Sequence, residues 1–409
     1  MSISRRGVIA TAATAAATTL LPGRPARAQT ASLKIGVLTD MSGTYQDVGG
    51  QVSVQCARQA VEDYKKAGGT IDVEIIAADH LNKPDNAVSI ARQWFDRDGV
   101  DMLIDVPNSG VGLALLGVAK EKNKVYINTG GATSDLTGPQ CNANSIHWGY
   151  DTYMLAKSTG GATVKAGGDS WFFITADYAF GKALQRDTTA FVEAAGGKVV
   201  SSITYPFPGT TDFSSTLIQA QSSGAKVLGL ASAGIDTINQ IKQSKEFGIT
   251  MQLAGLLVFI SDVHGLGLET AQGLTITNSF YWDFDDRTRA FTTRVQPKIP
   301  GKRPGMVQAG TYAGSLHYLK VAQAMGAADA KKDGAETVAR MKATPTDDDC
   351  FGKGSIRQDG VALHPAYLWQ VKKPSESKGA WDYLKLLATT PADQAFRPLN
   401  ETGCPLVKA

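Results

Sequence analysis

The sequence has no large excess of one charge, no long apolar run beyond its N-terminus and few cysteines or histidines. Its 409 residues include 41 Lys and Arg, 38 Asp and Glu, four Cys and five His. No basic stretch is interleaved with aromatic residues, which argues against nucleic-acid binding. After the first 28 residues, no stretch approaches the ~18 apolar residues that a membrane-spanning helix needs, so we expect no direct insertion into a membrane.

Motifs of common enzyme and metal sites are absent as well. The chain contains no H-x-x-x-H, H-E-x-x-H or C-x-x-C pair and no G-x-x-x-x-G-K-[ST], so neither a metal site nor a phosphate cradle has support. The segment "PNSGVG" (107–112) is not a G-x-S-x-G elbow, and no His lies beside a candidate nucleophile. We therefore expect no cofactor, no metal and no catalytic residue. A secreted α/β hydrolase with a triad from distant segments remains the enzymatic alternative.

The first 28 residues are typical of an export signal. Arg5 and Arg6 precede an Ala/Thr-rich apolar run, and Ala26 and Ala28 form a small-x-small cleavage site. We expect cleavage after Ala28 and a periplasmic location, by the Sec or the Tat route, because "SRRGVI" lacks the usual Phe and Lys of a twin-arginine signal. Cleavage would leave 37 basic residues against 38 acidic ones, so the basic pI of the precursor says little about partners.

From residue 33, short apolar strands alternate with amphipathic helices, and the alternation restarts at "DSWFFITAD" (169–177). This pattern predicts an α/β fold with two Rossmann-like, doubly wound lobes. We place lobe 1 at 32–149 plus 283–346, lobe 2 at 150–282 plus 347–373, and a C-terminal tail that packs on the lobes at 374–409. The segments "GSIRQDG" and "PAYLWQVKKP" predict a hairpin.

Ligands of open parallel sheets bind beyond the carboxyl ends of the strands. Two adjacent loops at such ends, "PNSGVG" and "NTGGATSD", combine glycines with hydroxyl side chains, and the first opens a helix whose N-terminus favours an anion. An ordinary role of Ser109 as the cap of its own helix is the alternative. Together the loops predict a carboxylate clamp, with the candidate residues Asn108, Ser109, Gly110, Gly131, Ala132 and Thr133.

Aromatic residues cluster near the same strand ends, where they would stack on a flat ligand or simply fill the core. The candidates for an apolar wall are Trp148, Tyr150, Tyr178, Phe180 and Phe259. The loop "SAGIDT" (232–237) adds Gly234 and Asp236 to the candidate site by its position after a strand.

The signal together with "KIGVLTDMSGTY", "DHLNKPDNAVSIARQW", "PNSGVGLA", "NTGGATSDLTG" and "ADYAFGKAL" resembles the type I periplasmic solute-binding proteins of the branched-chain amino-acid ABC transporter family. The segments "FYWD", "SIRQDG" and "AFRPLNETGCPLV" are most similar to the branch associated with aromatic acids. The resemblance implies a three-crossover hinge, closure of two lobes on a small-molecule carboxylate, a monomer and delivery to an inner-membrane ABC permease. It carries the carboxylate-binding role to Ser109, Gly110 and Gly131–Thr133, and ligand packing to Tyr178.

One departure from the family bears on the ligand. Amino-acid binders place an acidic residue against the α-ammonium, in the segment that here reads "LLVFISD" (256–262). An ammonium buried against that apolar surface without a partner would be costly, which favours an aromatic acid. Asp151, Asp236 or Asp262 could still supply the charge, so a branched-chain or other amino acid, or an amide, remains the alternative ligand.

Four cysteines in an exported chain predict at least one disulfide, but their spacing does not choose among three pairings. The resemblance of the tail implies a Cys141–Cys404 pair. Cys56 and Cys350 are then either free thiols or a second pair.

Overall fold

The computed structural model of the protein describes residues 32–408. The predicted export signal at 1–28 and its cleavage site after Ala28 therefore lie outside the described residues. Within them, no helix is both long and apolar enough to cross a membrane.

The described chain contains fifteen strands. They are β1 Leu33–Thr39, β2 Val73–Asp79, β3 Met102–Asp105, β4 Val125–Asn128, β5 Ser145–His147, β6 Ser170–Ala176, β7 Lys198–Tyr205, β8 Val227–Ala231, β9 Gln252–Gly255, β10 Thr275–Asn278, β11 Thr346–Asp348, β12 Gly352–Ile356, β13 Ala362–Leu363, β14 Ala366–Val371 and β15 Leu384–Thr390.

The same residues form fourteen α-helices. They are α1 Gly50–Lys66, α2 Pro84–Gln93, α3 Ser109–Lys122, α4 Thr152–Lys165, α5 Ala179–Ala194, α6 Ser214–Ser222, α7 Ile235–Glu246, α8 Ile260–Leu266, α9 Leu268–Ala271, α10 Asp286–Val295, α11 Met306–Met325, α12 Ala327–Lys332, α13 Gly334–Ala343 and α14 Ala392–Ala395.

Lobe 1 is built on a five-stranded parallel sheet of order β2-β1-β3-β4-β5. Its inner strands are buried on both faces, as their runs of β-branched and aliphatic residues predict; Ile35 and Val37 of β1 are fully buried. The helix α11 returns from late in the sequence to pack against α1 and β3. α2 begins at Pro84. Proline is favourable there because the amides of the first turn have no acceptor within the helix, so its missing N–H removes no hydrogen bond.

Lobe 2 contains a parallel sheet of order β7-β6-β8-β9 and a smaller sheet of order β10-β14-β15, whose pairs are antiparallel. The prediction of one hairpin from "GSIRQDG" and "PAYLWQVKKP" is wrong. β12 turns back onto the two-residue strand β13, and β14 instead pairs with β10 and β15. The extra strand β15 comes from the C-terminal segment.

The chain passes between the lobes three times: after β5, after β10 and between β13 and β14. The two lobes and the three passes agree with the predicted fold class. A disulfide joins Cys141 to Cys404 with their Cα atoms 5.6 Å apart, so the pairing implied by the resemblance is confirmed. Cys56 and Cys350 are both buried and free.

Candidate ligand-binding site

A cavity lies between the lobes at the carboxyl ends of their parallel strands, where the sheet rule predicts a ligand. It holds about 220 Å³ of empty space, including a part open to solvent. Its lining comes from both lobes: Tyr45, Val48, Pro107, Asn108, Ser109, Gly130, Ala132, Tyr150, Tyr178, Phe180, Ala233, Leu257 and Phe259.

The connection from β3 to α3 brings the first clamp loop to the cavity in a strained backbone conformation. Asp105 and Val106 both have positive φ angles, 91° and 62°, which are rare for side-chain-bearing residues and rarer still for a β-branched one. The Val106 amide is fixed by the carbonyl of Leu38 at 2.9 Å. The strained linker therefore holds Pro107 and Asn108 at the edge of the cleft.

Asp105 holds this linker in place through hydrogen bonds of its carboxylate and of its backbone carbonyl. Its Oδ1 lies 3.2 Å from Thr129 Oγ1 and 3.3 Å from Thr311 Oγ1, while its Oδ2 has no hydrogen-bond partner among the described residues. Its backbone carbonyl accepts the amides of Thr129 and Gly130. Burial raises the pKa of Asp105 to about 6.

Ser109 joins the two clamp loops. Asn108, not Ser109, caps α3, since its side chain accepts the Val111 amide at 3.0 Å. The Ser109 hydroxyl oxygen instead accepts the amides of Ala132 and Thr133, both at 3.1 Å. Because the oxygen only accepts in these bonds, its hydrogen remains available to donate to a ligand.

Close packing locks the second clamp loop onto the first. A Cβ added at Gly130 would lie 2.5 Å from the Cα of Pro107, so only glycine permits this approach. The carbonyl of Gly130 accepts the Tyr150 hydroxyl at 2.8 Å, and Asn128 Nδ2 donates to the carbonyl of Gly131 at 2.6 Å. The polar face of the cavity is thus made largely of fixed backbone.

The opposite face, from lobe 2, is mainly apolar, with the hydroxyl of Tyr178 as its polar side-chain group. Phe180, Leu257 and Phe259 are each no more than 2% exposed and all line the cavity. The ring of Tyr150 meets Phe259 edge to face, with centroids 6.1 Å apart. Such a wall suits a flat apolar group and offers no ionic partner.

Tyr45 of lobe 1 and Tyr178 of lobe 2 meet across the cleft, with their hydroxyl oxygens 2.5 Å apart. Phe207 stacks on both rings, at 4.2 Å from Tyr178 and 5.5 Å from Tyr45. Burial raises the pKa of each tyrosine well above its ordinary value, so both hydroxyls keep their protons. The pair and its stack close the lobes over the cavity.

The architecture and the cleft agree with a family-model match. Residues 32–380 match the model described as periplasmic binding protein. The chain belongs to this family, in its type I, leucine/isoleucine/valine-binding-protein-like form. The expected family is therefore confirmed. Comparison with curated proteins finds no significant match.

Solved structures of periplasmic binding proteins resemble the chain over nearly its whole length. One from Burkholderia mallei is 49% identical, with a TM-score of 0.88, and covers 92% of this chain and 100% of its own. A branched chain amino acid ABC transporter periplasmic ligand-binding protein from Burkholderia xenovorans LB400 is 39% identical, with a TM-score of 0.79 and the same coverage. An R. palustris ABC transporter solute-binding protein in complex with benzoate shares the fold, at 21% identity and a TM-score of 0.80, covering 91% of this chain and 99% of its own.

Membership in the family settles several broad expectations. Periplasmic binding proteins of ABC transporters capture small molecules for a permease and catalyse no reaction, so this protein is not an enzyme. The family also implies a periplasmic location. The hydrolase alternative is not favoured.

In this periplasmic binding protein, three predicted acidic candidates lie outside the cavity lining and use their carboxylates elsewhere. Asp151 accepts the Met154 amide at 2.7 Å as the N-cap of α4, and Asp262 accepts the Phe259 amide at 2.9 Å. Asp236 accepts the Tyr205 hydroxyl at 2.9 Å. Burial raises the pKa of Asp151 and of Asp262 to about 7 and that of Asp236 to about 6.

The structure brings about half of the predicted site residues to the cavity. Those that line it are Asn108, Ser109, Ala132, Tyr150, Tyr178, Phe180 and Phe259. Those that do not are Gly110, Gly131, Thr133, Trp148, Asp151, Gly234, Asp236 and Asp262. Trp148 packs beside His317 with centroids 5.7 Å apart, and Thr133 Oγ1 accepts the Asp135 amide.

Sequence reasoning left several lining residues out of the candidate site: Tyr45, Val48, Pro107, Gly130, Ala233 and Leu257. Tyr45 lies in the loop after β1, which the strand-end rule selects, but the rule does not say which side chains of a loop enter the cavity. Gly234 is near the site for a different reason, because a Cβ there would lie 2.5 Å from the carbonyl of Thr44 in the other lobe.

Proposed function

We propose that the protein captures a small aromatic carboxylate between its lobes and delivers it to an inner-membrane ABC permease. The observation that carries this proposal is the contrast within one cavity. On lobe 1, the Ser109 hydroxyl hydrogen and the first amides of α3 offer hydrogen-bond donors, while the amides of Ala132 and Thr133 already bond to Ser109 Oγ. On lobe 2, the side chains of Phe180, Leu257 and Phe259 offer only carbon.

The polar half suits an anion. α3 begins at Ser109. At a helix N-terminus, the free amides and the helix dipole stabilise a negative charge by about 0.3–1 kcal/mol. The Ser109 hydroxyl hydrogen adds one donor at the same point. We assign the carboxylate to this end, against Ser109 and the loop that contains Ala132.

The apolar half disfavours an α-ammonium group. Of residues 32–408, none with a charged side chain lines the cavity. An ammonium buried there would lose its hydration without gaining an ion pair, a cost of several kcal/mol. Asp236 and Asp262, the lobe 2 acids proposed as alternative partners of an ammonium, both already accept internal hydrogen bonds.

Five of the residues that line the cavity are aromatic, Tyr45, Tyr150, Tyr178, Phe180 and Phe259, which favours a flat ring as the apolar part of the ligand. Two distant R. palustris solute-binding proteins that share the fold were solved with benzoate and with 4-hydroxybenzoate, at 21% and 20% identity. A second candidate, a branched-chain amino acid, is favoured by the 39% identity to the Burkholderia xenovorans branched chain amino acid ABC transporter periplasmic ligand-binding protein.

Calorimetry with matched ligand pairs separates the two candidates. Leucine and 4-methylpentanoate differ only in the ammonium, as do phenylalanine and 3-phenylpropionate, while benzoate and benzamide differ in the negative charge. We expect benzoate to bind and benzamide to bind at least tenfold more weakly, and each ammonium-free acid to bind more tightly than its amino acid. Tight binding of leucine with none of 4-methylpentanoate would replace the proposal by the amino-acid function.

The third pass between the lobes, between β13 and β14, lies later than the boundary predicted at 346/347. We further propose that the other two predicted lobe boundaries, the monomeric state and export through cleavage after Ala28 hold for the protein. Size-exclusion chromatography with light scattering and N-terminal sequencing of the periplasmic form test the last two directly.

A further inference from the structure

We propose that the C-terminal segment 391–405, here called the strap, is a fourth connection between the lobes and restrains the opening of the cleft. The chain itself passes between the lobes three times, and the strap adds a covalent link through Cys404. This inference rests on ligand capture between the lobes, but not on which carboxylate is captured.

The two ends of the strap are attached to different lobes. It leaves lobe 2 directly after β15, which pairs with β14 in the smaller sheet of that lobe. α14 packs on α4, and Lys157 Nζ donates to the carbonyl of Gln394 at 2.5 Å. The far end is bonded through Cys404 to Cys141, which precedes β5 of lobe 1. The segment therefore spans the lobes.

Between these ends, Arg397 reaches a buried polar node beside the clamp. Its Nη2 donates to Ser134 Oγ at 3.0 Å and lies 3.5 Å from Asp187 Oδ1. Its guanidinium also lies over the ring of Tyr153 at 5.5 Å, and its carbonyl accepts Arg357 Nη1 at 2.8 Å. The guanidinium is thus held from several sides.

The node itself joins the lobes. Ser134 follows the clamp residue Thr133 in lobe 1, and its hydroxyl donates to Asp187 of α5 in lobe 2 at 2.8 Å. Thr152 Oγ1 accepts the Ser134 amide and donates to the same carboxylate oxygen at 2.6 Å. Opening the cleft at this point separates Ser134 from the buried carboxylate of Asp187, whose side chain is 5% exposed.

Arg186 adds a second bridge at the rim. Its Nη1 lies 3.0 Å from Asp135 Oδ1 in lobe 1, and its Nε lies 2.9 Å from Asp187 Oδ1. Half of this side chain is exposed, so the bridge is weak in water and opens readily. The strap is different, since the disulfide keeps Arg397 near the node even when the hydrogen bonds break.

The family-model match ends at residue 380, so the strap lies outside the part of the chain that the family model describes.

Hydrogen exchange with mass spectrometry tests the restraint without any ligand. Cys141 and Cys404 form the one disulfide of a chain with four cysteines, so mild reduction, followed by thiol titration, cuts the strap selectively. We expect at least threefold faster exchange in residues 132–137 and a larger radius of gyration by small-angle X-ray scattering. Arg397→Gln, which keeps the disulfide, should give a smaller change in the same direction.

Arg340→Gln is the matched control, because it removes an exposed guanidinium on α13 that bonds to Glu336. Benzoate calorimetry supplies a second readout, with an expected affinity loss of threefold to tenfold on reduction. If hydrogen exchange and the radius of gyration stay unchanged both on reduction and in Arg397→Gln, the proposal that the strap restrains opening is wrong. Absence of benzoate binding to the wild-type protein would count against the proposed ligand alone, since the exchange and scattering measurements decide the strap by themselves.

Discussion

The two faces of the cleft differ in what they are made of. The polar part of the lobe 1 face is centred on Ser109 and is held in place by hydrogen bonds and by the contact of Gly130 with Pro107. The lobe 2 face is formed mainly by apolar side chains, Phe180, Leu257 and Phe259 among them. Backbone changes little when side chains are replaced, whereas a wall of side chains changes with each substitution. In the function that we propose, lobe 1 therefore holds the carboxylate common to the ligands, and lobe 2 selects among the groups attached to it.

An acidic residue on the apolar lobe 2 face should remove the difference between the two faces and weaken carboxylate binding. In Leu257→Glu, a second carboxylate would be buried near the bound one, and both like-charge repulsion and desolvation oppose binding. We expect benzoate affinity to fall at least about 100-fold, or about 2.7 kcal/mol, by calorimetry. Leu257→Met, which preserves volume, should lose less than about tenfold. Equal losses in the two variants would contradict the assignment of the apolar face.

The buried carboxylate of Asp105, which supports the lobe 1 side of the cavity, should make the stability of the protein depend on pH. The folded pKa of Asp105, about 6, exceeds the ordinary 3.8, so between these values the folded state keeps a proton that the unfolded chain has lost. Stability therefore falls as pH rises from 4 to 6 and is level above. Asp105→Asn lacks this penalty. Its free energy of unfolding relative to wild type should increase by roughly 2 kcal/mol from pH 4 to pH 7, measured by urea denaturation.

A control for this pH effect lies on the surface. The pKa of Asp212 is lowered by the backbone amide and hydroxyl of Ser214, so Asp212→Asn should shift in the opposite direction, losing stability relative to wild type as pH rises. Asp262 beneath the lobe 2 face has its pKa raised to about 7 by burial. Asp262→Asn should therefore follow Asp105→Asn in sign. A pH-independent difference for Asp105→Asn would refute the buried-acid account.

The smallest expected change in ligand affinity is tested by replacing Ser109 and, as its matched control, Thr133. Ser109→Ala removes the hydroxyl that joins the two loops and that we assign to the ligand carboxylate. We expect at least about a tenfold loss of benzoate affinity, or about 1.4 kcal/mol. Thr133→Ala removes a hydroxyl that accepts the Asp135 amide instead, and we expect less than a threefold loss. Similar losses in both would mean that the Ser109 hydroxyl does not contact the ligand.

The fold was predictable because its signals are local and repeated. Each parallel strand is a short apolar run that ends in a turn, and this alternation alone indicates two doubly wound lobes. The short strand β13 and the pairing of β15 with β14 were missed, because pairing of short antiparallel strands depends on distant neighbours. The Cys141–Cys404 bond was inferred from the resemblance of the tail, since spacing could not choose among the pairings.

The site was predictable where it follows strand ends and unpredictable where it depends on side-chain direction. Asn108, Ser109 and Ala132 were found because the loops after parallel strands converge. Nothing in the sequence indicates that Asp236 bonds to Tyr205 or that Asp262 bonds to the Phe259 amide. Leu257 was recognised as apolar but not as a wall, because burial in a core and burial against a cavity have the same pattern in sequence.

The contact of Gly130 with Pro107 also has a practical consequence for protein engineering. Since a side chain at this glycine would force the two loops apart, the carboxylate site that we propose on lobe 1 should be left unchanged in a designed biosensor. Libraries confined to Phe180, Leu257 and Phe259 would then vary the accepted ring, while a fluorophore that reports lobe closure keeps the same signal for every new analyte.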